Sequence, residues 1–300
     1  MRSRSYWRRR HDQLDPETDF REISVNLATR EFPWDTLQSL SFALFRTYAV
    51  PSIGVLLHDT GEFTEQVQKR YDDTGLLLEE ILEHGLTEGR GREALRRVNQ
   101  MHGRYDISND DMLYVLATFV VMPKRWHDQW SYRPLTHNEV VASVNYYVDL
   151  GRHMGIKDIP TDYLGFDRLL DDYEEAHFAY DVRARRVADS TLDLFTTFPL
   201  NRLAPAWLLK RFAYSLMDDR LLAAFRYPKP TALERRIFHG MMRLRGRFIA
   251  LLPARSKQKW TRDMGNYKCY PLGYDVSALG TFPSGCPVHT SAEPSERAAG

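Results

Sequence analysis

Cysteine is nearly absent from this chain of 300 residues, which contains two, Cys269 and Cys286. Neither lies in a CxxC or CxxCH pattern, so the sequence does not predict a disulfide framework. So few cysteines are typical of proteins from a reducing compartment. We therefore expect a cytoplasmic location.

Long apolar runs are also missing. No stretch is long enough to span a bilayer as one helix, and the basic start MRSRSYWRRRHDQLD lacks the apolar run of a secretion signal. We expect a protein that is soluble or at most lies on a membrane surface. An excess of charge is lacking too, since the net charge is +1. The chain as a whole therefore gives no electrostatic argument for nucleic-acid binding.

Several catalytic motifs are absent from the sequence. It has no GxGxxG, no P-loop, no HExxH, no GxSxG and no cysteine signature of a haem–thiolate enzyme. Phosphoryl transfer, dinucleotide-dependent chemistry and serine hydrolysis therefore lose support.

What the sequence does have is helical periodicity. WDTLQSLSFALFRTYAVPSIGVLL is apolar at helical spacing and is broken by Pro51. Ser108 and Thr136 each stand three residues before an acid, which is typical of a capped helix start. The run MLYVLATFVVM, 112–122, is apolar all round, so we expect a helix that is buried on all sides and ends at Pro123.

The remaining chain continues the helical pattern, with few alternating strands and no internal repeat. Further helices are expected at about 137–154, 162–197, 205–225 and 231–252. We predict a mainly α fold with a single helical domain. The expected division is a flexible basic arm at 1–20, the helical domain at 21–280 and a disordered tail at 281–300.

His102 is the first candidate for chemistry. Its helix carries apolar or aromatic residues at three- and four-residue spacing from it: Leu95, Val98 and Tyr105. This spacing places the imidazole on the buried face of the helix. The apolar run 112–122 follows directly. Either His102 is a core histidine bonded to a carbonyl, or it is an axial ligand to a metal or haem in an apolar cleft.

Four further residues have more than one interpretation. Arg97 lies about 140° around the helix from His102, where it reaches a haem propionate, a polar cavity or a surface partner. His127 in KRWHDQW is a second candidate ligand or a loop histidine packed on indole. Glu174 and His177 form one ExxH, a motif that holds di-iron when paired copies occur, or else a solvated charged face.

Residues 226–262 carry eleven basic side chains against one acid, Glu234, with apolar residues interleaved at helical spacing. A basic amphipathic helix can lie on an anionic membrane. It can equally pack on the core and present a basic outer face. Nucleic-acid binding ranks third, because no recognised module accompanies the charge.

Several blocks point to a family: GEFTEQVQKRYDDTGLLLEEILEHG, GREALRRVNQMHGRYDISNDDMLYVLATFVVMPKRW, YRPLTHNEV, LGRHMGIKDIP and CYPLGYDVSALG. Together they resemble the MpaB-type oxygenase family, the relatives of the latex-clearing rubber oxygenases. The resemblance covers roughly residues 20–280, and its most distinctive parts are the R-x4-H stretch and ISNDD.

The resemblance implies a globin-like core with extra helices around a b-type haem. It also implies cleavage of carbon–carbon double bonds in prenyl-like chains with O2 as co-substrate. Arg97 and His102 match the R-x4-H stretch, and Thr118 lies in the LATF block of the next helix. The rubber-cleaving branch differs from this sequence in that helix, where MLYVLATFVV has no histidine. His102 is therefore our first choice for the iron ligand, ahead of His127 and His177.

The hypothesis from the sequence is therefore a haem-dependent oxygenase acting on a small apolar substrate, with possible peripheral membrane contact and no nucleic acid. One rival is a non-haem iron oxidase that uses Glu174 and His177 with other acids. The other is a non-enzymatic lipid-binding protein that lies on membranes through helix 231–252.

Overall fold

Several helices in this protein begin at residues whose side chains accept hydrogen bonds from the free amides of the first turn. The computed structural model describes residues 2–199 and 201–281. Ser108 accepts a hydrogen bond from the amide of Asp111, and Thr136 and Glu139 form a complete capping box. Such caps stabilise a helix by roughly 1 kcal/mol each. The helix starts predicted at Ser108 and Thr136 are confirmed.

Fourteen α-helices, with short 3₁₀ and π turns and no strand, form the regular structure of the described residues. They are α1 (Tyr6–His11), α2 (Phe20–Asn26), α3 (Pro33–Thr47), α4 (Pro51–Asp59), α5 (Glu62–Glu65), α6 (Val67–His84), α7 (Gly89–His102), α8 (Asn109–Trp130), α9 (His137–His153), α10 (Tyr163–His177), α11 (Val182–Thr196), α12 (Ala206–Leu216), α13 (Asp219–Ala224) and α14 (Ala232–Ala250). The predicted mainly α, single-domain fold is confirmed.

α8 is the central helix. Leu116 and Val120 on α8 pack with Val144 on α9 and with Phe166 and Leu170 on α10. α8 also packs against α3, where the Trp126 ring contacts Trp34 and Phe42. A helix that contacts neighbours on every side needs apolar residues all round, which is the pattern that the sequence showed.

The end of α8 differs from the prediction. Pro123 does not stop the helix, which continues to Trp130. A proline removes one backbone hydrogen bond and crowds the carbonyl of Phe119, at a cost of about 3 kcal/mol in an isolated helix. Beyond the proline, Trp126 and Trp130 are buried against α14, and the Trp126 indole donates to Asp35 at 3.1 Å. This packing outweighs the penalty.

The long helical region predicted at 162–197 is two helices. α10 ends at His177, and the Asp181 side chain caps α11 by accepting a hydrogen bond from the Arg183 amide at 2.7 Å. Between them, the amide of Ala179 donates to the carbonyl of Ala49, outside any helix. The periodicity of the two helices is similar, and only the cap marks the break.

The C-terminal part of the described chain, residues 259–281, is an irregular strap held on α6 by buried charged groups. The Asp72 carboxylate accepts hydrogen bonds from the amides of Lys268 and Cys269, both at 2.8 Å. Lys69 donates from Nζ to the carbonyl of Gly280, also at 2.8 Å. Burial raises the pKa of Asp72, although these amide donors oppose the shift. The strap therefore depends on α6 for its position.

The N-terminal segment carries a short helix that contacts the rest of the chain. α1 buries Trp7 and His11, and the Trp7 indole donates to the carbonyl of Arg255 at 2.9 Å. The division into arm, domain and tail stays a prediction, and residues 282–300 lie outside the described part of the chain.

No single helix in the described ranges is both long and apolar enough to cross a membrane. Only α3 and α4 taken together meet that test, and they bend by 94° at the break between them. Pro51 is the first residue of α4, so the predicted break there is confirmed.

Candidate active site

The helices surround a partly open cavity of about 450 Å³. α3, α4, α6, α7, α8, α9 and α11 supply most of its walls, and the strap lines one side with Lys259, Trp260, Thr261 and Tyr267. Most of the lining is aliphatic or aromatic. Cavities of this size and character are typical of sites for cofactors and small apolar molecules.

α8 lines the cavity with one continuous stripe. Besides Asp111 in its first turn, its cavity residues recur mostly at three- and four-residue spacing: Met112, Val115, Leu116, Phe119, Pro123 and His127. Because 3.6 residues complete a turn, all six lie on one face of the helix. The stretch 112–122 therefore forms a wall of a pocket, as the sequence suggested.

His102, the last residue of α7, lines the same cavity. Its Nδ1 atom is buried and has no hydrogen-bond partner, so the interpretation as a core histidine bonded to a carbonyl through that nitrogen does not hold. Burial, together with the positive charge of Arg70, lowers the pKa of His102 to about 4. The imidazole is therefore neutral at pH 7, the form that binds metals.

His127 is the second cavity histidine. It lies within α8, not in the loop we expected, and its ring packs on Phe32 at 4.5 Å. Nδ1 pairs with the Ser131 hydroxyl at 2.7 Å. Burial lowers the pKa of His127 to about 4, although Asp35 and Glu139 oppose the shift. The expected contact with indole is replaced by this contact with a phenylalanine.

Two cations face the cavity from different walls, Arg70 on α6 and Lys259 on the strap. The Arg70 guanidinium lies 5.4 Å from the centre of the Phe63 ring. The sequence analysis missed Arg70, although a signal was available. Arg70, Thr74 and Leu78 follow one another at four-residue spacing on α6, and all three line the cavity.

Arg97 and Thr118 do not line the cavity. Arg97 is buried and donates from Nε to the carbonyl of Leu279 in the strap at 2.6 Å and from Nη1 to Gln100 at 2.7 Å. Its guanidinium therefore contacts the strap and not the cavity. Thr118 is fully buried, and its hydroxyl donates to the carbonyl of Val115 within α8.

The ExxH pair on α10 diverges. Glu174 is buried and accepts hydrogen bonds from Arg46 and from the Tyr114 hydroxyl. His177 is exposed, and its ring stacks on Tyr173 at 4.0 Å. Burial raises the pKa of Glu174, although Arg46 opposes the shift. The pair brings no two ligand atoms together, and neither residue lines the cavity.

A second polar cluster joins α1 to α9. His11, Glu31 and Glu139 are buried, and one potential ligand atom from each lies within 4.8 Å of the others. His11 Nδ1 pairs with Glu139 at 2.8 Å. The Arg133 guanidinium donates to both carboxylates and so already supplies a positive charge between them. None of these residues lines the cavity.

The arrangement defines an α-helical protein with a largely apolar pocket and two neutral imidazoles in its walls. Residues 36–247 match the family described as ER-bound oxygenase mpaB/B'/rubber oxygenase, catalytic domain. The match covers more than half of the chain, and the chain therefore belongs to this family of oxygenases. The resemblance inferred from the sequence is confirmed.

Three relatives illustrate the similarity. The ER-bound oxygenase mpaB' of Penicillium brevicompactum is 34% identical over 242 residues, covering 74% of this chain and 56% of the relative. The ER-bound oxygenase mpaB of the same fungus is 31% identical, covering 70% and 58%. The mpaB of Penicillium roqueforti (strain FM164) is 33% identical, covering 69% and 74%. The chain thus spans less than two thirds of the length of the first two relatives.

Proposed function

We propose that this oxygenase uses haem b and O2 to cleave a carbon–carbon double bond in an apolar, prenyl-like substrate. The observation that carries the proposal is the apolar cavity with the unpartnered Nδ1 of His102 in its wall. A buried nitrogen without a partner costs about 1–3 kcal/mol, and a bond to a metal would remove that cost.

The cavity residues fit a haem. His102 would supply a nitrogen ligand to the iron, and His127 is the alternative ligand on a second wall. Arg70 and Lys259 are the cavity cations suited to the two propionate carboxylates, so the anchoring role expected of Arg97 moves to them. When bound, the haem would supply the activation of O2, which no protein side chain provides.

The protein's own contribution would be to hold the substrate and keep water away. Leu37, Leu40 and Leu44 on α3 form one apolar wall, and Ile53 and Leu56 on α4 form another. An extended prenyl chain can lie along these walls without leaving a polar group unpaired. We further propose a cytoplasmic protein that works at a membrane surface, since apolar substrates partition there and the relatives are named as ER-bound.

The test is the absorbance spectrum of the purified chain after haem titration, compared with His102→Ala, His127→Ala and His177→Ala. We expect a Soret band at one haem per chain in the parent and in His177→Ala, and its loss in His102→Ala. Loss in His127→Ala alone would reassign the ligand. A parent protein that takes up no haem would refute the proposal.

A non-haem iron oxidase is the second candidate function, and the cluster of His11, Glu31 and Glu139 favours it over the diverging pair Glu174 and His177. Two features weigh against catalysis there: Arg133 occupies the space between the carboxylates, and the cluster does not face the cavity. Iron in the purified protein without porphyrin absorbance would favour this second candidate.

A further inference from the structure

We infer that the outer face of α14 is a docking surface for a bilayer that carries anionic lipids. Its exposed apolar residues follow the helix at spacings of three and four: Leu233, Ile237, Met241, Leu244, Phe248 and Leu251. Each exposes between 51% and 84% of its surface. On ideal geometry they occupy an arc of roughly 80° on one side of the helix.

The opposite face of α14 accounts for its attachment to the fold. Phe238, Met242 and Gly246 are buried, and the Arg245 guanidinium pairs with Asp35 at 2.9 Å. The helix is therefore fixed by one side, and the apolar arc is a second face that the core does not use. Large apolar arcs of this kind on a soluble surface mark an interaction site.

A strip of arginines borders the apolar arc. Arg236, Arg243 and Arg247 are exposed, and none has a carboxylate within ion-pair distance among the residues that the structure describes. On the helical wheel they fall within roughly 80° of the arc's edge. A helix with arginines beside large apolar side chains is suited to the boundary between lipid headgroups and acyl chains.

The positive surface continues beyond the helix. The N-terminal segment contacts the residues that follow α14, because the amide of Ala254 donates to the carbonyl of Arg2 and the Trp7 indole donates to the carbonyl of Arg255. This segment carries the exposed Arg8 and Arg9 on α1. The whole chain has a net charge of only +1, so positive charge is concentrated here and not spread over the molecule.

The charge distribution decides between a lipid surface and a second copy of this chain. A two-fold contact through the same face would bring the arginine strips of two copies together, and like charges across an interface are unfavourable. An anionic bilayer satisfies both parts of the face, since headgroups attract the arginines and acyl chains accept the apolar arc. Binding to the bilayer does not depend on the oxygenase reaction.

The experiment measures co-sedimentation of the full chain with vesicles of phosphatidylcholine alone or mixed with phosphatidylserine. The apolar variant is Leu244→Ser with Phe248→Ser, and its control is Leu164→Ser with Leu272→Ser, two exposed leucines elsewhere. The charge variant is Arg236→Gln with Arg243→Gln, matched by the exposed pair Arg92→Gln with Arg96→Gln.

We expect the parent and both controls to bind the phosphatidylserine vesicles, and each α14 variant to bind at least about tenfold more weakly. Added salt should weaken the parent's binding. No binding by the parent, or equal binding by the apolar variant and its control, would overturn the inference. So would a parent dimer that the apolar variant converts to a monomer, because a second copy would then be the occupant. Haem content is measured on the same samples, so failure of the proposed function is scored separately.

Discussion

Acidification of the haem-free protein is expected to unfold it partly through His127. The pKa of His127 is about 4 in the folded chain, against 6.5 for a free histidine. The unfolded state therefore binds the proton more readily. The stability that this imidazole contributes is complete above pH 6.5 and is lost as the pH falls towards 4.

The magnitude follows from the two pKa values. With one pKa unit worth about 1.4 kcal/mol, lowering the pH from 7.5 to 4.5 should remove about 2.5 kcal/mol through this one residue. His102 has the same lowered pKa and adds a loss of similar size. Carboxylates titrate in the same range, so the comparison must be made between variants and not between pH values alone.

The assay is urea unfolding at several pH values between 7.5 and 4.5 for the parent, His127→Gln and His177→Gln. His127→Gln lacks the titrating imidazole. Between pH 7.5 and 4.5 its free energy of unfolding should therefore fall by about 2.5 kcal/mol less than that of the parent. His177 is exposed, and its variant should run parallel to the parent. If the curves for His127→Gln and the parent also run parallel, the reasoning about a buried neutral imidazole is wrong.

Two further predictions concern packing and charge. Gly75→Ala should destabilise the fold by about 1–3 kcal/mol, because a Cβ there would lie 1.8 Å from the Tyr267 hydroxyl. Its control is Gly240→Ala on α14, where a Cβ meets nothing within 4 Å, and this variant should stabilise the fold by up to about 1 kcal/mol. Glu174→Gln should lower the free energy of unfolding by about 3 kcal/mol, because the buried Arg46 loses the charge of one partner. Glu175 is exposed, so Glu175→Gln should change the free energy of unfolding by less than about 0.5 kcal/mol. Urea unfolding measures all four variants, and equal values within either pair would contradict the corresponding argument.

Helical periodicity carried most of the fold prediction. The apolar run 112–122 identified the buried central helix. Because this helix continues to Trp130, the same three- and four-residue spacing places His127 on the cavity face. Pro123 hid that continuation, because the penalty of a proline is visible in the sequence while the packing of Trp126 and Trp130 that offsets it is not. The tendency of proline to end a helix was therefore overcome by tertiary packing.

The site was predicted less completely than the fold. His102 lies on the cavity, as its stripe suggested, but Arg97 on the same helix turns to the strap. The strap lies about 180 residues away in the chain, and a contact at that separation leaves no periodic signal. The sequence did not single out Arg70 as a cavity residue for a different reason. An arginine close to Asp72 and Asp73 in RYDDTG resembles an ordinary charged helix surface.

The strap has a consequence for how the protein is made. Synthesis runs from the N-terminus, so residues 259–281 leave the ribosome after every other wall of the cavity. Until Trp260 and Tyr267 dock, the pocket is a groove that is open on one side. A bulky ligand has the widest access to His102 during that interval, and docking of the strap on α6 then narrows the opening. The carboxylate of Asp72, which does not face the cavity, thus affects how readily a ligand enters the pocket, because it accepts hydrogen bonds from two amides of the strap.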